Sequence, residues 1–265
     1  MTAPIRVLMS GSGKMGRAIL DALEADASIE PAGVLEKFAE SDSLILSSGR
    51  SIPMTSDLQQ AFDEARADVV VDFTNAAWAP VVAEAAVARG VRLVIGTSGL
   101  SDAFVADLRR ACADRKLGGV VAANFALGAV LMMHMAKVAA RFFDAAEIIE
   151  LHHDQKVDAP SGTAIATAQA MLAAREGRPF ARNEPETQTV AGSRQAAIDG
   201  VTIHSVRLPG LVAHQEVLFG GLGQTLSIRH DTTGRESFMP GILLAVKEVM
   251  RREELVVGLD ELIGL

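Results

Sequence analysis

The chain has 265 residues, 49% of them hydrophobic, and a formal charge of -8. That length holds one large domain or two modest ones with proper cores, and the negative balance excludes broad attraction to nucleic acid or to an anionic membrane surface. A single cysteine, Cys112, excludes an internal disulfide and a cysteine-based zinc site, which fits a reducing compartment.

No uninterrupted apolar run approaches the roughly 18 residues of a membrane span, and no basic segment followed by an apolar one reads as an export signal. The expectation is a cytoplasmic protein that meets neither membrane nor nucleic acid. Any anionic ligand must be held by local groups.

Ile5 to Met9 is a short apolar run that ends at Ser10-Gly11-Ser12-Gly13-Lys14-Met15-Gly16, after which Ala18, Ile19, Ala22 and Leu23 recur at helical spacing. The pattern is strand, glycine turn, helix. Glycines let the backbone approach a pyrophosphate, and the helix N-terminus supplies N–H groups to it. A second strand, Pro31 to Leu35, ends in Glu36, about 20 residues past the last glycine, where an acid accepts from a ribose. Glu36 suits the two ribose hydroxyls of NAD and Lys37 the 2′-phosphate of NADP, so both cofactors stay open; a tight turn without ligand is the alternative.

Val69 to Phe73 reads as a buried parallel strand, Trp78 to Arg89 as a helix, and Leu93 to Ile95 as a strand ending at Gly96-Thr97-Ser98-Gly99. Asp102 to Lys116 is helical, and Val120 to Ala123 is a strand ending at Asn124-Phe125. This βαβ alternation predicts an N-terminal Rossmann-like parallel sheet whose strand ends share the edge at which such sheets bind ligands. Trp78, the only tryptophan, is assigned no function.

Ala129 to Phe143 reads as a long helix with Met132, Met133 and Met135 in the core and His134 and Lys137 facing solvent. Residues 178 to 199 form a polar loop without period. Strand-like runs follow at 201 to 207, 213 to 219 and 225 to 230, then a helix at 238 to 252 and an apolar segment at 256 to 262 that packs. The switch to consecutive strands places a boundary near residue 125 and predicts a C-terminal α+β domain with a mixed, mostly antiparallel sheet.

Between them lies Glu150-Leu-His-His-Asp-Gln-Lys-Val-Asp-Ala-Pro-Ser-Gly-Thr163. A strand delivers its two imidazoles to a sheet edge, facing a helix that opens at Pro160-Ser161-Gly162-Thr163 and favours an anion, and Lys156 adds a full charge. A polar loop with a capping serine or threonine is the plain alternative. A metal site built from His152, His153, Asp154 and Asp158 is not expected, because adjacent strand residues point to opposite faces. Cys112 sits mid-helix as an inert buried thiol, which argues against a thiohemiacetal dehydrogenase; a dinucleotide-responsive binding protein without catalysis also stays open.

That segment, with the glycine turn, Leu35-Glu36-Lys37, Asp72-Phe73-Thr74, Gly96 to Gly99, Ala122 to Phe125 and Ser205-Val206-Arg207, resembles the dihydrodipicolinate reductase family along essentially the whole chain. The resemblance implies that Ser10, Gly11, Ser12, Gly13, Lys14, Met15, Glu36, Lys37, Gly96, Thr97, Ser98, Ala122, Ala123, Asn124 and Phe125 touch NADH or NADPH. It gives His152 and Lys156 the catalytic positions, and His153, Gly162 and Thr163 those that hold a cyclic imine dicarboxylate. It also implies a dinucleotide-binding domain of residues 1–125 to which 238–265 return, a substrate-binding and oligomerisation domain of residues 126–237, a homotetramer, and a place in diaminopimelate and lysine synthesis. Two departures stand out: Ser10 replaces the first glycine of the family's turn, and Gly128-Ala129-Val130 replaces a common Gly-Val-Asn, so Val130 receives no role.

Overall fold

A strand covered on both faces must be apolar throughout, and Ile5–Ser10 (β1) meets that demand with Val7, Leu8 and Met9 fully buried. The computed structural model describes residues 3 to 194 and 196 to 265. After β1 come helix Lys14–Ala25 (α1), strands Ile29–Leu35 (β2), Ser43–Ile45 (β3) and Ser51–Thr55 (β4), and helix Leu58–Ala65 (α2). Strand Val69–Asp72 (β5), helix Ala79–Arg89 (α3), strand Arg92–Ile95 (β6), helix Asp102–Arg115 (α4) and strand Gly119–Val121 (β7) continue the alternation.

The second part holds helix Leu127–Ala139 (α5), strand Ala145–His152 (β8), helix Gly162–Ala174 (α6) and strands Ala197–Ile198 (β9), Val201–Arg207 (β10), Ala213–Gly221 (β11) and Gln224–Thr232 (β12). Helix Met239–Val249 (α7), strand Leu255–Val257 (β13) and helix Leu259–Ile263 (α8) close the chain. Two compact units result: Met1–Ala126 together with Arg235–Leu265, and Leu127–Gly234. Among the described residues no helix is long and apolar enough to cross a membrane.

In the first unit the strand order is β13-β7-β6-β5-β1-β2-β4-β3, parallel except for the β3–β4 pair. The C-terminal ends of β1, β5, β6 and β7 therefore fall on one edge and carry Gly11, Phe73, Gly96 and Ala122. In the second unit the order is β12-β11-β8-β10-β9, with only β8 and β10 parallel. Helices α5 and α6 cover one face of that sheet, packing Ala136, Ala168 and Met171 against Ile148, Ile203 and Val217.

The fold class matches the expectation from sequence, with local differences. The hairpin β3–β4 and helix α2 occupy residues to which no element was assigned. Both strands are short, burying only Leu44 and Ile52. Helix α5 ends at Ala139 rather than Phe143, and Met132 is buried while Met135 faces solvent, so the methionines do not act as one core patch. His134 is half-buried rather than solvent-facing. The apolar segment near residue 256 does more than pack: β13 adds an edge strand beside β7.

Helix α7 lies against the end of β7 so closely that a Cβ on Gly241 would stand 2.0 Å from the Phe125 carbonyl oxygen. Gly241→Ala is expected to lower the unfolding free energy by about 1–3 kcal/mol, the usual range for overpacking. Urea denaturation checks this, and an unchanged midpoint would contradict the packing argument.

Candidate active site

The turn after β1 has a geometry that needs glycine. Gly11 takes φ +91° and its amide donates to the Leu35 carbonyl at 2.8 Å. A Cβ on Gly16 would stand 2.1 Å from the Gly11 carbonyl oxygen, so helix α1 rests directly on the turn. This helix starts at Gly13 with no side-chain cap and no acid in its first turn, which leaves its N-terminus suited to an anion.

A cavity of about 350 Å³ opens there, lined by Gly11, Gly13, Lys14 and Met15 on the turn and by Glu36, Lys37 and Phe38 after β2. Thr74, Asn75 and Trp78, from the loop after β5, complete its wall. The Glu36 Oε2 atom accepts from the Ser12 amide and hydroxyl, both at 2.7 Å. Burial opposes its charge, but those two bonds and one from the Phe38 amide outweigh it and hold the carboxyl below its usual range. Glu36 is therefore an ionised, acceptor-only group facing the cavity.

Of the other residues singled out in this unit, Gly96, Ser98, Ala123 and Asn124 carry at least partial exposure at the strand ends. Ser10, Thr97, Ala122 and Phe125 are buried and give shape rather than surface. Thr97 donates its hydroxyl to the buried Asp72 at 2.5 Å, and Thr74 adds hydroxyl and amide donors to the same carboxylate. A Cβ on Gly96 would stand 2.2 Å from the Phe73 ring, which in turn packs at 5.3 Å from Phe125. Cys112 is buried and its thiol is pushed up to about 11 by burial.

In the second unit the parallel register of β8 and β10 sets Ser205 beside Glu150 and Arg207 beside His152. These four side chains share one face, because residues two apart in a strand do. Glu150 is fully buried and receives Arg207 in a two-pronged contact, 2.8 Å to each carboxylate oxygen. The Ser161 amide donates to it at 3.2 Å, and the Ser161 hydroxyl caps α6 by accepting from the Ala164 amide. His152 Nδ1 lies 2.5 Å from Glu150 Oε2. An ionised carboxylate only accepts, so Nδ1 carries the proton and Nε2 is the atom left for a ligand.

Burial holds Glu150 toward neutrality, yet its bonds from Arg207, Ser205 and His152 win, and its carboxyl stays below the ordinary range. Burial also lowers the His152 imidazole; Glu150 opposes that shift, while the charges of Lys156 and Arg207 reinforce it. The loop between is tied at two points: Arg207 donates to the Asp158 carbonyl at 2.8 Å, and Lys156 Nζ donates to the Asp158 carboxylate at 2.6 Å. His153 and Gly162 are exposed, Thr163 is half-buried, and a Cβ on Gly162 would meet nothing within 4 Å. Ser161, Gly162 and Thr163 thus present a helix N-terminus close in sequence to His152 and Lys156. Among the described residues no cluster of His, Cys, Asp or Glu is placed to hold a metal ion.

The model for the N-terminus of dihydrodipicolinate reductase matches residues 5–125, and that for its C-terminus matches residues 128–263. The chain belongs to this family. The dihydrodipicolinate reductase family also supplies its similar full-length relatives. The 4-hydroxy-tetrahydrodipicolinate reductase of Dehalococcoides mccartyi is 46% identical over 264 residues, and that of Moorella thermoacetica 48% over 269, each covering 99% of both chains. Among solved structures, the dipicolinate-bound dihydrodipicolinate reductase of Paenisporosarcina sp. TG-14 superposes with a TM-score of 0.87 at 40% identity, over 97% of this chain and 99% of that one. An amine dehydrogenase from Mycobacterium smegmatis, with a TM-score of 0.68 at 14% identity, shares the fold alone.

Sequence reasoning did not assign Glu150 and Arg207 their part. Their contact is made by strand register across 57 positions, and only Glu150's place two residues before His152 hinted at it. Glu150→Gln strands the Arg207 charge and is expected to cost about 3–5 kcal/mol of stability near neutral pH. Because the folded carboxyl lies below its unfolded value, that contribution is present above about pH 4.3 and is lost as pH falls through the folded pKa. Denaturation from pH 7 to pH 3 checks this: the gap between wild type and variant should narrow, and a gap independent of pH would rule the charge out as its source.

Proposed function

We propose that this chain reduces the cyclic imine dicarboxylate formed from 4-hydroxy-tetrahydrodipicolinate by loss of water, giving tetrahydrodipicolinate for diaminopimelate and lysine synthesis in the cytoplasm. NADH or NADPH is the reductant. The observation that carries the reading is the Glu150-anchored His152 with Lys156 and the α6 N-terminus beside it, in a chain that also holds a glycine-turn cavity.

That cavity fits a dinucleotide. A Cβ at Gly11 would collide with the Thr74 side chain and one at Gly16 with the Gly11 carbonyl, so glycine keeps the turn tight against α1, whose uncapped N-terminus favours a diphosphate. Gly11, Ser12, Gly13, Lys14 and Met15 hold the diphosphate, Glu36 accepts from the ribose hydroxyls of NADH, and Lys37 serves the 2′-phosphate of NADPH. Gly96, Ser98, Ala123 and Asn124 border the nicotinamide half, with Ser10, Thr97, Ala122 and Phe125 shaping it from behind. The cofactor, when bound, supplies a hydride to C4 of the conjugated ring, after which ring carbon C3 needs a proton.

His152 is the proton donor. Its Nδ1–H bond to Glu150 fixes the ring and leaves Nε2 to face the substrate. Lys156 neutralises developing negative charge, while His153, Gly162 and Thr163 hold a carboxylate with the free N–H groups of the first helical turn. A homotetramer is part of the same reading. Its support is the sheet face opposite α5 and α6, where Ile149, Leu151, Val206 and Leu218 remain half-exposed.

The reading is tested with the imine generated in situ and both nicotinamide cofactors. Oxidation of either cofactor is expected; a protein that only binds the dinucleotide leaves it reduced. His152→Gln should lower kcat by about 10²–10⁴-fold with little change in KM, the span of general acid catalysis. Burial and the cations keep the His152 pKa low in the free protein, and a bound dianion cancels part of that charge. The descending limb of kcat should thus lie at higher pH than that of kcat/KM in the wild type. Coincident limbs, or undiminished turnover in the variant, would remove His152 from the acid's role.

A further inference from the structure

Beyond Glu36 the cavity ends in aromatic surface that the reaction just described does not use. Phe38 is 79% exposed at its lip. Trp78 packs partly against the core beneath α3 and also lines the cavity. The Lys37 ammonium lies 5.3 Å from the Trp78 ring centroid and 5.7 Å from that of Phe38, so both rings surround one short stretch of wall. Trp78 is held there by its backbone: its amide donates to the Asn75 side-chain oxygen and carbonyl, both at 3.1 Å.

We infer that Trp78 and Phe38 form the stacking platform for the adenine ring of the dinucleotide, with Lys37 steered by the same two rings toward the adenine-side ribose. This rests on the cofactor reading above. Connectivity places the base: with the diphosphate on the glycine turn and the ribose on Glu36, adenine is the next group along, and the wall beyond Glu36 is Lys37, Phe38, Asn75 and Trp78. Chemistry agrees with it, since a flat base buries its π-face well against an aromatic ring and needs few directed hydrogen bonds to do so. A cation shared by two rings is also held where a 2′-phosphate would meet it.

Trp78 is the only tryptophan and the chain has no tyrosine, so indole emission reports on this cavity alone. The full chain is titrated with ADP-ribose, which carries adenine without nicotinamide, and separately with nicotinamide mononucleotide, following emission and, in parallel, heat of binding. ADP-ribose is expected to change the emission saturably and nicotinamide mononucleotide to leave it unchanged. Trp78→Ala and Phe38→Ala should each weaken ADP-ribose by about five- to hundredfold, and Trp78→Phe should retain most of the affinity. Phe38→Ala removes an exposed ring and so stays informative if Trp78→Ala fails to fold. Calorimetric saturation by ADP-ribose with unchanged emission, or with wild-type affinity in both Phe38→Ala and Trp78→Ala, overturns the platform and leaves the cofactor reading standing. Absence of any heat with ADP-ribose and NADH in the wild type overturns both.

Discussion

A carboxylate with no exposure to water must be met by donors on every side, and Glu150 organises the second unit around that requirement. Arg207 meets it from β10, Ser161 from the start of α6, and His152 from two residues along the same strand. Each bond fixes something different: the pairing of β8 with β10, the approach of a helix N-terminus, and the tautomer of an imidazole. A buried ion pair contributes little net stability against apolar residues of the same volume. Its effect here is geometric, because the donors that satisfy the charge come from three elements that meet at this one carboxylate.

The first unit reaches an anion-binding geometry by a different route. There the constraint is close backbone approach, with α1 resting on the Gly11 carbonyl through Gly16 and no side chain capping the helix. Asp72 is the buried carboxylate of this unit, and its donors Thr74 and Thr97 join the ends of β5 and β6. With a formal charge of -8, the chain repels anions at long range, so an anion at either candidate site would rely on N–H groups and single cations at contact distance.

The readability of the sequence followed the range of the interactions. The strand Val69–Asp72 and the glycine turn are local patterns, and the imidazole pair with Lys156 is a local cluster, so each was visible in a few consecutive residues. Arg207 was not, because by itself it is an arginine at a strand end, and only register brings it to Glu150. Trp78 was passed over for a similar reason: its place depends on the Asn75 turn and on where β2 delivers Lys37 and Phe38. The hairpin β3–β4 buries one side chain per strand, Leu44 and Ile52, too few to set a period of two. Helix α2 has an apolar stripe, but two of its three buried residues are alanines, and only the Asp57 cap marks its start.

The two cations near His152 differ in how firmly they are held, and that difference divides their work. Arg207 makes both prongs of its contact to a buried carboxylate and a further bond to the Asp158 carbonyl, so drawing it away would strip Glu150 of its charged donor. Among the described residues the Lys156 ammonium has one partner, the largely exposed Asp158 carboxylate, which water can serve equally well once the ammonium leaves. In the proposed reaction a dicarboxylate entering the site would therefore compete for Lys156 and not for Arg207. Were the ammonium to turn to such a substrate, the incoming negative charge would offset the two positive charges that disfavour a second proton on His152. The imidazole would then be easier to protonate in the presence of the ring that the proposal has it serve, and Glu150, still held by Arg207, would keep its Nε2 atom aimed throughout.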